Sequence, residues 1–160
     1  MQLVLIPGFW LDGDSWAPIT DALRAAGHEV HPLTLPGKRR GDTTLAGIGL
    51  RTHVDAVLAL VDAMQGPVVL VGHSGGGTIA WQVADARPER IARVVLVDAL
   101  PMPSGTSINT ELPVDGDAVP LPDWGVFEPE DLIDLDDALR ARFRAIAVPE
   151  PKGVAHEPTT

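Results

Sequence analysis

Val68-Val69-Leu70-Val71-Gly72-His73-Ser74-Gly75-Gly76-Gly77 decides how the rest of the chain is read. A continuous apolar run closed by glycines marks a strand buried on both faces and ended by a sharp turn. The residues that follow, Thr78 to Ala86, can form a helix folded back onto that strand. Gly72-His73-Ser74-Gly75-Gly76 fits G-x-S-x-G, a pattern in which the serine occupies the strand-to-helix turn. Glycines two before and two after the serine let backbones approach where a Cβ would collide, and they tolerate unusual φ/ψ. Such a turn holds a hydroxyl above the sheet, beside the positive end of a helix that favours developing negative charge. These are the requirements of a serine nucleophile.

The flanking sequence supplies a sheet for that strand. Gln2 to Ile6 reads as a short buried strand closed by Pro7-Gly8, and Ser15 as the N-cap of a helix from Trp16 to Ala26. Ile19, Leu23 and Ala26 would face inward, with Gly27 as the stop and His28 to Leu33 as a second strand. Leu35 to Gly41 reads as a basic, mobile loop, and Thr52 as the cap of a helix with Val54, Val57, Leu58, Val61 and Met64 on one stripe. Beyond the serine, Arg87 to Arg90 is a connector and Val94 to Asp98 a further strand, expected to be buried on both faces. Strands alternating with helices at these lengths predict a mostly parallel sheet with helices on both faces and right-handed crossovers.

The character changes after Asp98. Prolines at 101, 103, 113, 120 and 122 argue against a regular strand before Trp124. A helix is expected from Glu128 or Glu130 to about Ala145, acidic early and carrying Arg140, Arg142 and Arg144 late, with Leu132, Leu135, Leu139 and Phe143 as its apolar stripe. Residues 1–100 thus read as an α/β core, 101–147 as a cap-like segment and 148–160 as a mobile tail.

Composition narrows the function. One domain of 160 residues, 45% hydrophobic, can bury a proper core, and the absence of cysteine excludes disulfides and thiolate metal sites. A net charge of −10 argues against nucleic-acid binding. Ten acids and no Lys or Arg lie between Glu111 and Asp137, which reads as a solvated acidic face rather than a metal site. The start lacks the basic region of a signal peptide and no stretch is long enough to span a membrane, so a soluble cytoplasmic protein is expected.

Taken in order, Leu3-Val4-Leu5-Ile6-Pro7-Gly8-Phe9-Trp10, the Ser15-Trp16 helix start, Gly27-His28-Glu29-Val30, Gly72-His73-Ser74-Gly75-Gly76, Arg87-Pro88-Glu89-Arg90-Ile91 and Val94-Val95-Leu96-Val97-Asp98-Ala99 form a nearly continuous match. The chain resembles the α/β-hydrolase superfamily, in particular its small esterase branch with the methylesterases and hydroxynitrile lyases. The resemblance implies an α/β-hydrolase fold and an esterase-like hydrolase acting on a small ester or related acyl compound through an acyl-enzyme. It makes Ser74 the nucleophile and the N–H groups of Gly75 and Phe9 the oxyanion donors, with Pro7 standing where the family usually has histidine. It implies no metal or organic cofactor, and a small-molecule substrate as the partner. Trp10 would line the pocket, Trp124 would cap it, Trp16 and Trp81 would belong to the core, and His73 would pack beneath the turn.

The family order of serine, acid, histidine is harder to complete. Only 62 residues follow Asp98 (160 − 98), and two further strand-helix units of ~30 residues each would consume them all. The chain therefore reads as C-terminally truncated, with the last strands missing and a sheet edge prone to self-association. His156 is the only histidine after Ser74 and so the only in-chain candidate for the base; Asp98, at a strand end beside the turn, is a candidate acid. Two other readings stand beside the hydrolase. One is a non-catalytic fragment or pseudo-hydrolase lacking the acid and histidine. The other is a dinucleotide-binding domain, because Gly75-Gly76-Gly77-Thr78-Ile79-Ala80 fits G-x-G-x-x-A with Asp98 23 residues after Gly75. The latter explains neither Ser74 nor the two strand-helix units before it.

Overall fold

The computed structural model describes residues 1–160. Strands β1 (Gln2–Ile6), β2 (Glu29–Pro32), β3 (Val68–His73) and β4 (Ile91–Val97) form one parallel sheet in the order β2-β1-β3-β4. Helices α1 (Ala17–Ala25), α2 (Leu50–Ala63) and α3 (Gly75–Ala86) make the crossovers. Side chains alternate across the central strands. Val4, Ile6, Val68 and Leu70 join Val54, Val57, Val61, Ile79 and Val83 in a large cluster under α2 and α3. Leu3, Leu5 and Val69 meet Val30 on the other face, with Leu23 and Trp16 packed against them. Every member of the stripe expected on the second helix is buried.

The face beneath α1 explains why β4 differs from the expectation of two buried faces. In register, Val95 lies beside Val71 and Val97 beside His73, on the face whose buried cluster draws on β1, β2 and Val69 of β3 and takes in no residue of β4. Val95 and Val97 are accordingly 37% and 39% exposed, and β4 is the sheet's outer strand. On α1 itself, Ile19 is exposed rather than inward, and Thr20 takes the buried position. Trp81, expected in the core, is half exposed on α3. The helix starts also differ in detail. Asp12 rather than Ser15 caps the first turn, and Thr52 serves at the third helical position of α2, accepting the Gly49 N–H at 3.2 Å.

Beyond β4 the chain is mostly irregular, with 3-10 turns at Trp124–Val126 and Pro129–Leu132 and helix α4 (Asp137–Ile146). The expected helix from Glu128 is thus broken, and Asp134 at φ +64° marks the break. Asp136 restarts it by accepting the Leu139 N–H at 2.8 Å. The proline-rich stretch does contain one short strand, β5 (Ala118–Val119), paired antiparallel with β6 (Glu150–Pro151).

The tail expected over 148–160 is corrected most plainly. Helix α5 (Lys152–His156) packs on α2, with Val154 and Ala155 wholly buried in the main cluster. Pro151 and Gly153 have structural roles in this segment. Pro151 precedes the helix, and Gly153 bridges to Gly49 where a Cβ would lie 2.6 Å from the Ile48 carbonyl oxygen. Thr159 is tied by backbone hydrogen bonds to Gly105 and Thr106. The Leu35–Gly41 loop is likewise anchored: Arg40 donates to the carbonyls of Ala145 and Ile146 at the end of α4, and Lys38 is buried. No helix is long and apolar enough to cross a membrane.

Candidate active site

Ser74 joins β3 to α3 at φ +50° and ψ −125°, a conformation that L-residues avoid and that costs on the order of 1–3 kcal/mol. Its N–H donates to the Val97 carbonyl at 3.1 Å, and its own carbonyl accepts the Gly77 N–H at 2.9 Å. The turn closes only because two Cβ atoms are missing. A Cβ on Gly72 would lie 2.5 Å from the Gly76 oxygen, and one on Gly76 would lie 2.6 Å from the carbonyl oxygens of Ile6 and Pro7. The Ser74 side chain is left exposed at the head of α3.

The loop after β1 lies directly against this turn. A Cβ on Gly8 would stand 3.0 Å from the Ser74 Cβ, and one on Gly75 would stand 2.6 Å from Phe9 Cε1. The loop turns at Gly8–Leu11, where the Leu11 N–H reaches the Gly8 carbonyl at 3.3 Å. The Phe9 N–H has no hydrogen-bond partner in the protein. Gly75 is the first residue of α3, where an N–H has no acceptor within its own helix. Ser74 therefore has two backbone donors close by on two different elements.

A cleft of about 730 Å³ opens above Ser74. Phe9, Trp10, Gly75 and Asp98 border it near the serine, and Leu100, Met102, Ile108, Leu112 and Phe127 supply apolar wall. Asp98, at φ +45°, Glu111, Glu128 and Asp131 also line it, and no Lys or Arg does. Trp10 meets Phe127 edge to face at 6.0 Å, Phe127 meets Trp124 at a tilt at 5.7 Å, and Trp124 meets Phe143 at 5.8 Å. This aromatic chain ties α4 and the segment before it to the loop after β1. Trp124 borders a neighbouring cavity instead of the cleft itself.

No histidine is among the residues that line the cleft. His73 packs edge to face on Trp16 at 6.4 Å; burial pushes its pKa down while the charge of Asp98 pulls it up. His31 Nε2 lies 3.2 Å from the Glu29 carboxylate, both on β2. His53 is buried beneath the Pro36 carbonyl, 2.8 Å from its Nε2, and desolvation lowers its pKa to about 4. His156 ends α5, its carbonyl accepting the Ser107 hydroxyl at 2.7 Å, and it is not among the residues that line the cleft. The structure thus gathers Ser74, Phe9, Gly75 and Asp98, and leaves His156 elsewhere. It also joins two residues that no motif or spacing connects. Lys38 and Glu150 form a buried ion pair whose carboxylate also accepts the Trp10 N–H at 3.2 Å.

Known proteins are similar to this chain in sequence and in fold. The Alpha/beta hydrolase family model matches residues 3–159. A carbendazim hydrolyzing esterase from Nocardioides sp. (strain SG-4G) is 36% identical over 114 residues, which is 70% of this chain and 47% of that protein. Among solved structures, an extracellular alpha/beta-hydrolase from a Paenibacillus species superposes with a TM-score of 0.83 at 24% identity, over 99% of this chain and 70% of the other. A methylesterase from Arabidopsis superposes with a TM-score of 0.71 at 16% identity, over 99% of this chain and 72% of the other. The chain spans about half or less of the length of the curated relatives it matches. With a match over nearly all of its residues and the strand-turn-helix geometry around Ser74, the chain belongs to the alpha/beta hydrolase family.

Proposed function

We propose that the protein is an esterase-like hydrolase in which Ser74 attacks the carbonyl carbon of a small ester and forms an acyl-enzyme. The observation that carries this reading is the strained, exposed Ser74, flanked by the unpaired Phe9 N–H and the leading N–H of α3. In attack, the serine oxygen bonds to the carbonyl carbon, its proton leaves to a base, and negative charge gathers on the former carbonyl oxygen. Two preorganised N–H donors would stabilise that oxyanion by a few kcal/mol, each on the scale of ~10²–10³ in rate. The base returns that proton to the departing oxygen, which leaves as the alcohol; water then attacks the acyl carbon in the same way, releasing the acid and restoring Ser74. Esterase activity in a relative of 36% identity supports the substrate class.

A second reading has an observation of its own. No histidine lines the cleft, which favours a ligand-binding, non-catalytic role. Labelling the purified, folded chain with a fluorophosphonate, with Ser74→Ala as control, separates the two. Labelling that disappears in the variant supports the hydrolase. A folded protein that takes no label at any concentration overturns it in favour of binding.

A further inference from the structure

Lys38 and Glu150 are 112 residues apart in sequence, and their side chains are only 1% and 3% exposed. Removing two charges from water is costly even when they meet. The chemistry proposed above uses neither of them. Their position suggests what they do: the Glu150 oxygen that receives Lys38 Nζ also accepts the Trp10 N–H at 3.2 Å.

Trp10 needs to be held. It sits at φ +62°, in the left-handed region that a bulky residue rarely occupies. It follows Phe9 inside the Gly8–Leu11 turn that lies against Ser74 and Gly75. Three bonds fix it, all to partners far along the chain. Its N–H goes to Glu150, its carbonyl accepts the Val148 N–H at 2.8 Å, and its indole N–H reaches the Val119 carbonyl at 3.1 Å. A neutral acceptor would serve more weakly than a carboxylate, because hydrogen bonds to ionised acceptors are shorter and stronger. Burial pushes the Glu150 carboxyl up towards its neutral form, and the Lys38 ammonium and Trp10 N–H oppose this. Lys38 thus works against the pull of burial on the acceptor, without cancelling it, in a place where water cannot.

We propose that the buried Lys38–Glu150 pair is a positioning device that locks Trp10 in its left-handed turn and thereby holds Phe9 in place beside Ser74. The oxyanion-donor part of this role rests on the hydrolase reading; the locking of the turn does not. Neither residue touches substrate. Both act through Trp10.

Two double variants test it without leaving a buried charge. Lys38→Met/Glu150→Gln keeps an oxygen for Trp10, and Lys38→Met/Glu150→Leu removes it. In fluorophosphonate saturation kinetics the Gln variant should keep the limiting labelling rate within about threefold, while the Leu variant loses about tenfold or more at an unchanged half-saturation concentration. Hydrogen exchange at the Trp10 amide, read by NMR on unlabelled protein, should be slow in the wild type and the Gln variant and fast in the Leu variant. If the Leu variant does not fold, Glu150→Asp, too short to reach Lys38 and Trp10 together, takes its place with the same expectations. Equal limiting rates in the two variants, or a loss confined to half-saturation, overturn the role towards Phe9. Equal Trp10 exchange overturns the lock itself. A wild type that takes no label removes the hydrolase reading and with it the donor role, and Trp10 exchange alone then decides the lock.

Discussion

Ser74 and Val97 are joined by a 3.1 Å hydrogen bond from the serine N–H to the strand carbonyl, and the serine is held at φ +50°. The bond anchors the turn to β4 in a conformation that glycine would adopt freely and serine does not. Strain of this kind persists at functional sites because the surroundings over-determine it.

The strain makes a prediction about stability. Ser74→Ala removes the hydroxyl and keeps the unfavourable φ, whereas Ser74→Gly removes both. Glycine at an ordinary position destabilises relative to alanine through the unfolded chain's entropy. Here the order should reverse, with Ser74→Gly more stable than Ser74→Ala by about 1 kcal/mol. Urea unfolding of the two variants measures it, and alanine as the more stable variant would show that the turn is not strained.

The charge of the cleft predicts which esters fit. Asp98, Glu111, Glu128 and Asp131 line it with no basic residue to offset them. An ester carrying a carboxylate should therefore react more slowly than its neutral isostere, by roughly tenfold at low salt, with the gap narrowing at high salt as exposed charges are screened. Paired neutral and anionic esters compared at two ionic strengths, in the wild type and in Glu128→Gln/Asp131→Asn, provide the check. Equal kcat/KM for the pair in the wild type would mean that the acids face away from the bound ester.

Much of this was readable from the chain, and the division between what was and was not is physical. The turn at Ser74 is specified by steric limits within five residues, and the sheet by apolar runs and their periods, so both are local signals. The family resemblance supplied Phe9 and Gly75. Burial of one face of β4 depends on what packs over the sheet's outer strand, which no property of Val95 or Val97 reveals. Lys38 sits in a stretch with Arg39 and Arg40 that looks like a solvated loop, and Glu150 sits between two prolines. Their pairing is set by tertiary packing across 112 residues, and no periodicity encodes it. Residues 148–160 read as a mobile tail, whereas Gly153 provides the space in which α5 packs.

That space can be filled. A Cβ on Gly153 would lie 2.6 Å from the Ile48 carbonyl oxygen and 2.9 Å from the Gly49 Cα, both backbone atoms that cannot turn aside. Gly153→Ala should force α5 away from α2 and cost about 1–3 kcal/mol, the usual range for overpacking. Gly125 has open space where its Cβ would be, so Gly125→Ala is the matched control and should be near neutral. Thermal or urea midpoints of the two variants decide it, and similar midpoints would mean that the C-terminal segment is not packed as described.

His53 predicts how stability responds to pH. Its ring is wholly buried, Nε2 is bonded to the Pro36 carbonyl, and Nδ1 has no partner. A proton on Nδ1 would be buried without an acceptor and repelled by Lys38, and desolvation above all holds the folded pKa at about 4 against an unfolded value of 6.5. Between those values the unfolded chain binds the proton and the folded chain does not, so stability rises with pH. The contribution is complete above about 6.5 and is lost as pH falls towards 4. Going from pH 7 to pH 4.5 should cost roughly 2–3 kcal/mol through this residue alone. His53→Gln, whose amide can still donate to Pro36, should be less stable at pH 7 and lose less on acidification. The difference between the two proteins cancels every other titrating group that the substitution leaves undisturbed. Urea unfolding at the two pH values measures it, and parallel losses in both proteins would mean that His53 is protonated as easily folded as unfolded.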